Sequence, residues 1–242
     1  MIQAENKPPT LFKNALWTYL LELITVIFGV YIGFMANKYQ ETQNENRYTQ
    51  TVIKEMYQSL ASDIADATEN QHGHQTGLKS VEYFLKIAED QPVSTDTFGQ
   101  RFVELTRSFL SIQNTAPFEA LKSTGLNVIT NDSLRTKIVH LYDFQYDILE
   151  KAEEQYPESN LTERYYQDIL EILDKGLVLG KAGKIIAIRR PLPITPEERV
   201  RLFLHLRKIR YARLFNLGVY DVVIAEMAAL RAALKAEYDY LK

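Results

Sequence analysis

Residues 15–36 read ALWTYLLELITVIFGVYIGFMA, and only Glu22 among these 22 residues is ionisable. As a helix that rises ~1.5 Å per residue, the stretch spans about 33 Å, which exceeds a bilayer core of ~30 Å. Its Leu, Ile, Val and Phe side chains favour insertion by about 3–7 kcal/mol, against at most ~3 kcal/mol for one central charge. Trp17 and Tyr19 lie at one end of the stretch and Tyr39 lies just beyond the other, as interfacial aromatic residues do. The pattern therefore predicts a transmembrane anchor helix.

A cleaved signal peptide is the alternative interpretation of this stretch. Its apolar core spans about 7–15 residues and ends in a small-x-small site. The apolar run here is longer, and Tyr31 and Phe34 lie two residues before Gly33 and Ala36, where that site needs small side chains. The sequence favours an anchor.

One face of the predicted anchor differs from the others, because its small and polar residues fall within an arc of roughly 80° at about 100° per residue. Small residues let two helix backbones approach, and Thr and Glu side chains can hydrogen-bond between helices. We therefore expect a membrane interface here, with Glu22 also a candidate ion or proton site. The alternative is that small residues are simply common in membrane helices and that Glu22 reaches the headgroups. The predicted interface residues are Thr18, Glu22, Thr25, Gly29, Gly33 and Ala36.

The rest of the chain favours helix, and we predict an all-α protein. Residues 34–72 contain no Pro and no Gly, so the anchor helix should continue out of the membrane as a stalk. Apolar residues of the stalk recur at alternating spacings of 3 and 4, as in a coiled coil, and form a seam along one face. A break is expected near Gly73 and Gly77. An antiparallel bundle that packs on the stalk is the simplest architecture. The predicted division is an N-terminal tail at 1–14, a transmembrane helix at 15–36, a stalk at 37–72 and a helical bundle at 73–242.

Within the bundle, apolar spacing and capping residues predict a series of helices. Residues 177–188 favour a short β-hairpin that turns on Gly180–Gly183. Thr195, Pro196 and Glu198 are the residue types of a capping box with Pro at the first position, so the last helix should begin there. Other helices are predicted at 78–90, at 97–112 from Ser94 or Thr95, from Asn131 or Asp132 through Ile148, and from Ser159 or Asn160 to Gly176.

Composition excludes several kinds of chemistry. The chain has no cysteine, so disulfides, thiolate catalysis and thiolate metal sites are ruled out. A net charge of −3 argues against general affinity for nucleic acid. The segment 176–184 lacks the spacing of a phosphate-binding loop. His72 and His74 diverge on a helix, and His140 and His205 are isolated, so we expect no metal, no cofactor and no enzymatic activity.

Charges segregate in the second half of the chain. Acidic residues are dense at 150–174, and basic residues cluster at 181–213. One interpretation is a basic patch that faces headgroups or a partner. The other is that neighbouring helices of opposite charge pair along a solvated face.

Two stretches carry a family resemblance. The first is YLLELITVIFGVYIGFMANKYQE, residues 19–41, and the second is APFEALKSTG, residues 116–125, followed by ITNDSLR at 129–135 and HLY at 140–142. Together they resemble a family of uncharacterised single-pass membrane proteins common in Bacteroidota. The resemblance implies an N-terminal anchor and a helical body, with no assigned activity. The second stretch also reads as a helix corner, because Pro117 can start a short helix and Gly125 can end it.

These observations favour a membrane-anchored interaction or scaffold protein, with the lipid bilayer and either a second copy or a partner membrane helix as its partners. The alternative is an ion- or proton-coupled assembly that uses Glu22. A sensor would need a second membrane crossing, and no second apolar run is seen. Lys7 and Lys13 precede the helix and Lys38 and Arg47 follow it, so the positive-inside count is close to a tie. The short N-terminal tail and the large C-terminal body favour a cytoplasmic N-terminus, and we expect an anchor in a bacterial inner membrane with a periplasmic body.

Overall fold

The protein is described by a computed structural model, which covers residues 10–241, with side chains from residue 17 onwards. Most of the predicted N-terminal tail, residues 1–9, lies outside the described residues. The chain divides into two compact units, with the division between Thr51 and Val52. Helices predominate throughout the described residues, which confirms the predicted all-α class.

The first helix, α1, extends over Thr10–Ala88 without interruption. The predicted break near Gly73 and Gly77 is therefore wrong. Both glycines serve close packing instead, because a Cβ on Gly73 would lie 2.3 Å from the ring of Phe109, and one on Gly77 would lie 2.1 Å from Nε of Arg213. A glycine can end a helix, but it can also admit a bulky neighbour, and sequence spacing does not distinguish these two uses.

The second unit holds the remaining helices and one two-stranded sheet. Its last helix, α7, runs antiparallel to α1, because Arg199 near its start donates to the carbonyl of Ala88, whereas Arg231 near its end donates to that of Tyr57. Short helices pack around this pair. Their bounds are α2 Phe98–Thr106, α3 Ala116–Thr124, α4 Asp132–Val139, α5 Tyr146–Glu150, α6 Leu161–Leu173 and α7 Pro196–Glu237, with strands β1 Leu177–Leu179 and β2 Ile185–Ile188.

Most predicted elements are confirmed. α4 and α5 are joined by a π-helical turn and followed by another, so the chain is helical from Asp132 to Gln155. The predicted hairpin forms, with Leu177 opposite Ile188 and a bulge after Val178. The second predicted helix is too long, since α2 ends at Thr106 and residues 107–115 are irregular.

The predicted helix ends are also found. Thr195 and Glu198 form a capping box, in which each side chain accepts a hydrogen bond from the backbone N–H of the other residue. The side chain of Asn131 accepts from the N–H of Leu134 and so caps α4. Gly125 ends α3 with φ of 102°, a backbone conformation that suits glycine.

Two apolar clusters form the core of the second unit. One joins Val52–Ala67 of α1 to α3, α4, α5 and the C-terminal half of α7, and the other joins Val81–Ala88 of α1 to α2, α6 and the N-terminal half of α7. The stalk seam predicted from the sequence thus lies in the core, with Ile53, Met56 and Leu60 all fully buried. A band of polar residues separates the two clusters along both long helices.

Candidate functional site

The apolar span near the start of α1 is exposed. Every side chain from residue 17 to residue 36 is exposed, and the most apolar window of the helix has a mean hydropathy of 1.9 with none of it buried. The core helix of a soluble protein would be mostly buried. By length and composition, α1 is the one described helix that is long and apolar enough to cross a membrane.

The predicted interface residues share one side of this span. A Cβ on Gly29 or Gly33 would meet no atom within 4 Å, so the backbone is open to close approach. The hydroxyl of Thr25 donates to the carbonyl of Leu21 at 2.8 Å, which satisfies the hydroxyl within the helix. We call this face the α1 stripe. It consists of Thr18, Glu22, Thr25, Gly29, Gly33 and Ala36, all exposed.

The four histidines lie in different surroundings. His72 is exposed whereas His74 is buried, so the two rings do not face one site. Among residues 10–241, no group of three His, Asp or Glu side chains is placed to hold a metal ion. His140 stacks on Phe144, and His205 lies 3.2 Å from the carboxylate of Asp168. These contacts are those of structural histidines.

The glycine-rich segment is a hairpin. Gly180 donates its N–H to the carbonyl of Lys184 at 2.7 Å, and the chain continues into β2 rather than into a helix. A phosphate-binding loop needs a helix N-terminus directly after it. The segment therefore has the backbone course of the predicted hairpin and not that of a phosphate-binding loop.

The ion pairs of the basic cluster are made with acids outside residues 150–174. Arg199 lies 3.1 Å from Asp90, and Lys184 lies 3.8 Å from Asp96. Between α6 and α7, His205 contacts Asp168, but burial lowers the pKa of His205, so its ring is neutral at neutral pH. Many basic side chains of α7 nevertheless stay exposed, including Arg201, Lys208 and Arg210. Pairing with the acidic residues at 150–174 therefore does not account for the basic cluster in the part of the chain that the structure describes.

The second stretch of the family resemblance forms a corner, as its capping residues predict. α3 ends at Gly125, and α4 starts after the cap at Asn131. An open groove lies beside the corner, lined by residues that include Leu126, Arg135 and Phe144.

A buried guanidinium links three segments of the second unit. Arg213 of α7 is fully buried, and its Nη2 donates to the carbonyls of Glu104, Leu105 and Arg107 at 2.8, 3.0 and 2.8 Å. Its Nη1 donates to Nδ1 of His74 at 3.2 Å. The positive group lies at the C-terminal end of α2, where exposed carbonyls carry partial negative charge. Arg213 thus ends α2 and fixes it to α1.

Carboxylates bind the irregular segment that follows α2. The N–H of Ser111 donates to Glu153 at 2.9 Å, that of Ile112 donates to Asp66 at 3.2 Å, and that of Asn114 donates to Asp63 at 3.2 Å. Three acids from two elements therefore replace the hydrogen bonds that a helix would make.

Burial changes the pKa of several groups in this polar band. It raises the pKa of Asp63 and that of Glu153, although hydrogen bonds from Tyr146 and Tyr220 act in the opposite direction. Burial, together with the positive charge of Arg213, lowers the pKa of His74 to about 3. His74 is therefore a neutral acceptor at neutral pH.

Sequence reasoning did not find this polar band. Arg213, Glu153 and Asp63 occupy helical positions whose polar side chains read as solvent-facing in an isolated sequence. One signal was present, because Arg213 falls on the same face of α7 as Leu206, Ile209 and Tyr220, all of which are buried. A charged residue in the middle of an apolar face indicates a buried partner.

The fold and the α1 stripe define an all-α protein with one helix able to cross a membrane. Comparison of the chain with protein-family models, with curated proteins and with solved structures finds no match. The resemblance seen in the sequence therefore stays a prediction.

Proposed function

We propose that this protein is a membrane-anchored, non-enzymatic interaction or scaffold protein that assembles through the α1 stripe. The observation that carries the proposal is the complete exposure of an apolar span whose small and polar residues share one face. Lipid chains can cover the apolar faces, but they gain little from the stripe. A second membrane helix fits the stripe, since the backbone at Gly29 and Gly33 is open.

The unbroken course of α1 supports an anchor rather than a cleaved leader. A signal peptidase site needs small residues in an accessible segment just after the apolar core. Here helix continues for many turns past residue 36, through Ala88. We propose that the anchor lies in a bacterial inner membrane with the second unit on the periplasmic side.

Substitution of the two glycines tests the stripe. Gly29→Leu and Gly33→Leu keep the span apolar but place side chains where a partner backbone would approach. We expect the double variant to lower the assembled mass of the full-length chain in detergent, measured by light scattering after size-exclusion chromatography. Val30→Leu is the matched control, because Val30 lies on the same span outside the stripe and is 69% exposed.

Two results would contradict the proposal. An unchanged mass in the double glycine variant excludes assembly through the stripe. An equal loss of mass in Val30→Leu would show that any bulky change in the span disturbs the chain.

A second function is an ion- or proton-coupled assembly. It is favoured by the position of Glu22, the one carboxylate of the span, on the same face as the two glycines. Carboxylates within membrane spans commonly serve ion or proton pathways. Glu22→Gln should abolish proton flux into liposomes that contain a pH-sensitive dye, while the assembled mass stays unchanged. Equal flux in the parent and the variant would remove this function.

A further inference from the structure

The long helix α7 has a second apolar face, opposite the one that packs in the core. Its buried face includes Leu206, Ile209 and Tyr220. On the other side, positions spaced by 3 or 4 residues from Val200 to Ala236 are all exposed and fall within about 40° of one line along the helix. We call this exposed face the α7 seam. It consists of Val200, Leu204, Arg207, Tyr211, Leu214, Gly218, Val222, Ala225, Ala229, Ala232 and Ala236. A helix that is apolar on two opposite faces is normally covered on both.

The α7 seam has large residues in its first half. Val200, Leu204, Tyr211 and Leu214 are between 47% and 63% exposed, and Arg207 is the single charged member of the seam. Exposed apolar surface that continues along one helix marks an interaction site more often than scattered single residues do.

Apart from Val222, the second half of the α7 seam has small residues. Gly218 lies at the midpoint, and a Cβ there would meet no atom within 4 Å. Beyond it the exposed positions are Val222, Ala225, Ala229, Ala232 and Ala236. The change from large to small residues is centred on this glycine.

We propose that the α7 seam binds the α7 seam of a second copy in antiparallel orientation, with the two helices crossing at Gly218. In that arrangement, residues equally distant from Gly218 face each other. Leu204 then lies opposite Ala232 and Tyr211 opposite Ala225 of the second copy, so these large side chains meet small ones, whereas Leu214 meets Val222 in an apolar contact next to the crossing point. Alternation of large and small residues across facing positions is what close packing of two helices requires.

The charges on one flank of the seam support the same orientation. Arg201 and Lys208 lie on one flank of the seam, with Glu226 and Glu237 on that same flank in its second half. Antiparallel pairing brings Lys208 to within about two residues of Glu226 of the second copy along the axis, and it brings Arg201 equally near Glu237. Complementary flanking charges set the orientation of paired helices.

Parallel pairing of the same faces is disfavoured. It would place Arg207 against Arg207 and would bring the basic halves of the two helices together, and like charges oppose association. In the antiparallel arrangement, Arg207 lies opposite Ala229, where its aliphatic stem can pack while its charge reaches solvent.

The size of the contact is sufficient for a specific pair. From Val200 to Ala236, the seam is about 54 Å long at ~1.5 Å per residue, and a helix face is ~10 Å wide. Two copies would then bury about 1,100 Å² in total, which is near the lower end of specific protein interfaces.

Cysteine cross-linking in the full-length chain tests the proposal, because the protein has no cysteine of its own. Leu204→Cys and Ala232→Cys are purified separately in detergent, mixed and oxidised. We expect a disulfide-linked dimer in the mixture and none with Leu204→Cys alone, since two antiparallel copies separate their residues 204 by about 42 Å. Leu204→Cys mixed with Ala61→Cys, an exposed position on α1, is the matched control.

A third variant distinguishes cross-linking through the proposed interface from cross-linking by chance collision. Adding Gly218→Lys to both partners places two ammonium groups at the crossing point, and the open space there lets the lysine fit without disturbing the fold. We expect cross-linking to fall to the level of the control mixture. The stripe variants Gly29→Leu and Gly33→Leu should leave it unchanged, which separates this interface from the one proposed in the membrane span.

Three outcomes would overturn the proposal. Cross-linking by Leu204→Cys alone would show parallel pairing. Equal yields from the test and control mixtures would show collision without an interface. Cross-linking that persists with Gly218→Lys would show that the helices do not cross at residue 218.

Discussion

Replacement of Gly77 by alanine should destabilise the protein, although alanine is the better helix former. Gly77 lies in the middle of α1, where alanine would be expected to gain about 1 kcal/mol. An added Cβ would, however, lie 2.1 Å from Nε and 2.4 Å from Cζ of Arg213. Ordinary contact requires about 3.5 Å, so the guanidinium group would have to withdraw by about 1 Å.

The magnitude follows from the hydrogen bonds that this withdrawal breaks. Nη2 of Arg213 donates to three carbonyls at 2.8, 3.0 and 2.8 Å, and a shift of about 1 Å takes such contacts beyond hydrogen-bonding distance. Each hydrogen bond to a charged group is worth about 1.5–3 kcal/mol, so losing two costs about 3–6 kcal/mol. After the gain in helix propensity, we expect Gly77→Ala to lower the free energy of unfolding by about 2–5 kcal/mol.

Urea denaturation of the full-length chain in detergent, followed by circular dichroism, measures this change. Gly99→Ala in α2 is the matched control, since a Cβ there would meet no atom within 4 Å, and its stability should stay within about 1 kcal/mol of the parent. In a protein that already carries Arg213→Met, Gly77→Ala should lower the free energy of unfolding much less than it does in the parent. A Gly77→Ala variant as stable as the parent would refute the reasoning.

Three further outcomes are expected in the same denaturation assay. Thr195→Ala removes the side chain that caps α7 and should lower stability by about 1 kcal/mol, whereas a change below 0.3 kcal/mol would contradict the role of the Thr195–Glu198 capping box. Because the pKa of His74 is lowered in the folded state, the unfolded chain binds more protons than the folded chain below pH 6.5. The parent should therefore lose stability relative to His74→Gln as the pH falls from 6.5 towards 4. Parallel stability profiles of the two proteins over this pH range would refute this. The pKa of Glu153 is raised in the folded state, so its effect on stability has the opposite pH dependence. The parent should lose stability relative to Glu153→Gln as the pH rises above 4.5. A stability difference that is independent of pH would contradict burial as the cause of the raised pKa.

Much of the fold could be predicted because its signals are local. The capping box at Thr195, the cap at Asn131 and the stop at Gly125 each depend on a few adjacent residues, and all three are found. The apolar span was predicted for the same reason, since its length and hydropathy are properties of one segment.

The features that could not be predicted depend on residues far apart in the sequence. Gly73 and Gly77 read as a break until Phe109 and Arg213 are known to pack against them. The end of α2 at Thr106 could not be located either, because the groups that replace its helical hydrogen bonds come from α1, α7 and the turn around Glu153. The α7 seam, by contrast, was present in the sequence as an uninterrupted 3/4 spacing, and only its exposure required the structure.

The carboxylates that bind residues 107–115 have a consequence for local opening of the chain. An irregular segment with exposed side chains would ordinarily exchange its amide hydrogens quickly and be cut early by proteases. Here the amides of Ser111 and Asn114 are held by the buried acids Glu153 and Asp63, and that of Ile112 is held by Asp66 on the surface of α1. Their hydrogens should therefore exchange as slowly as those of the neighbouring helices, and the segment should resist proteolysis until the second unit unfolds.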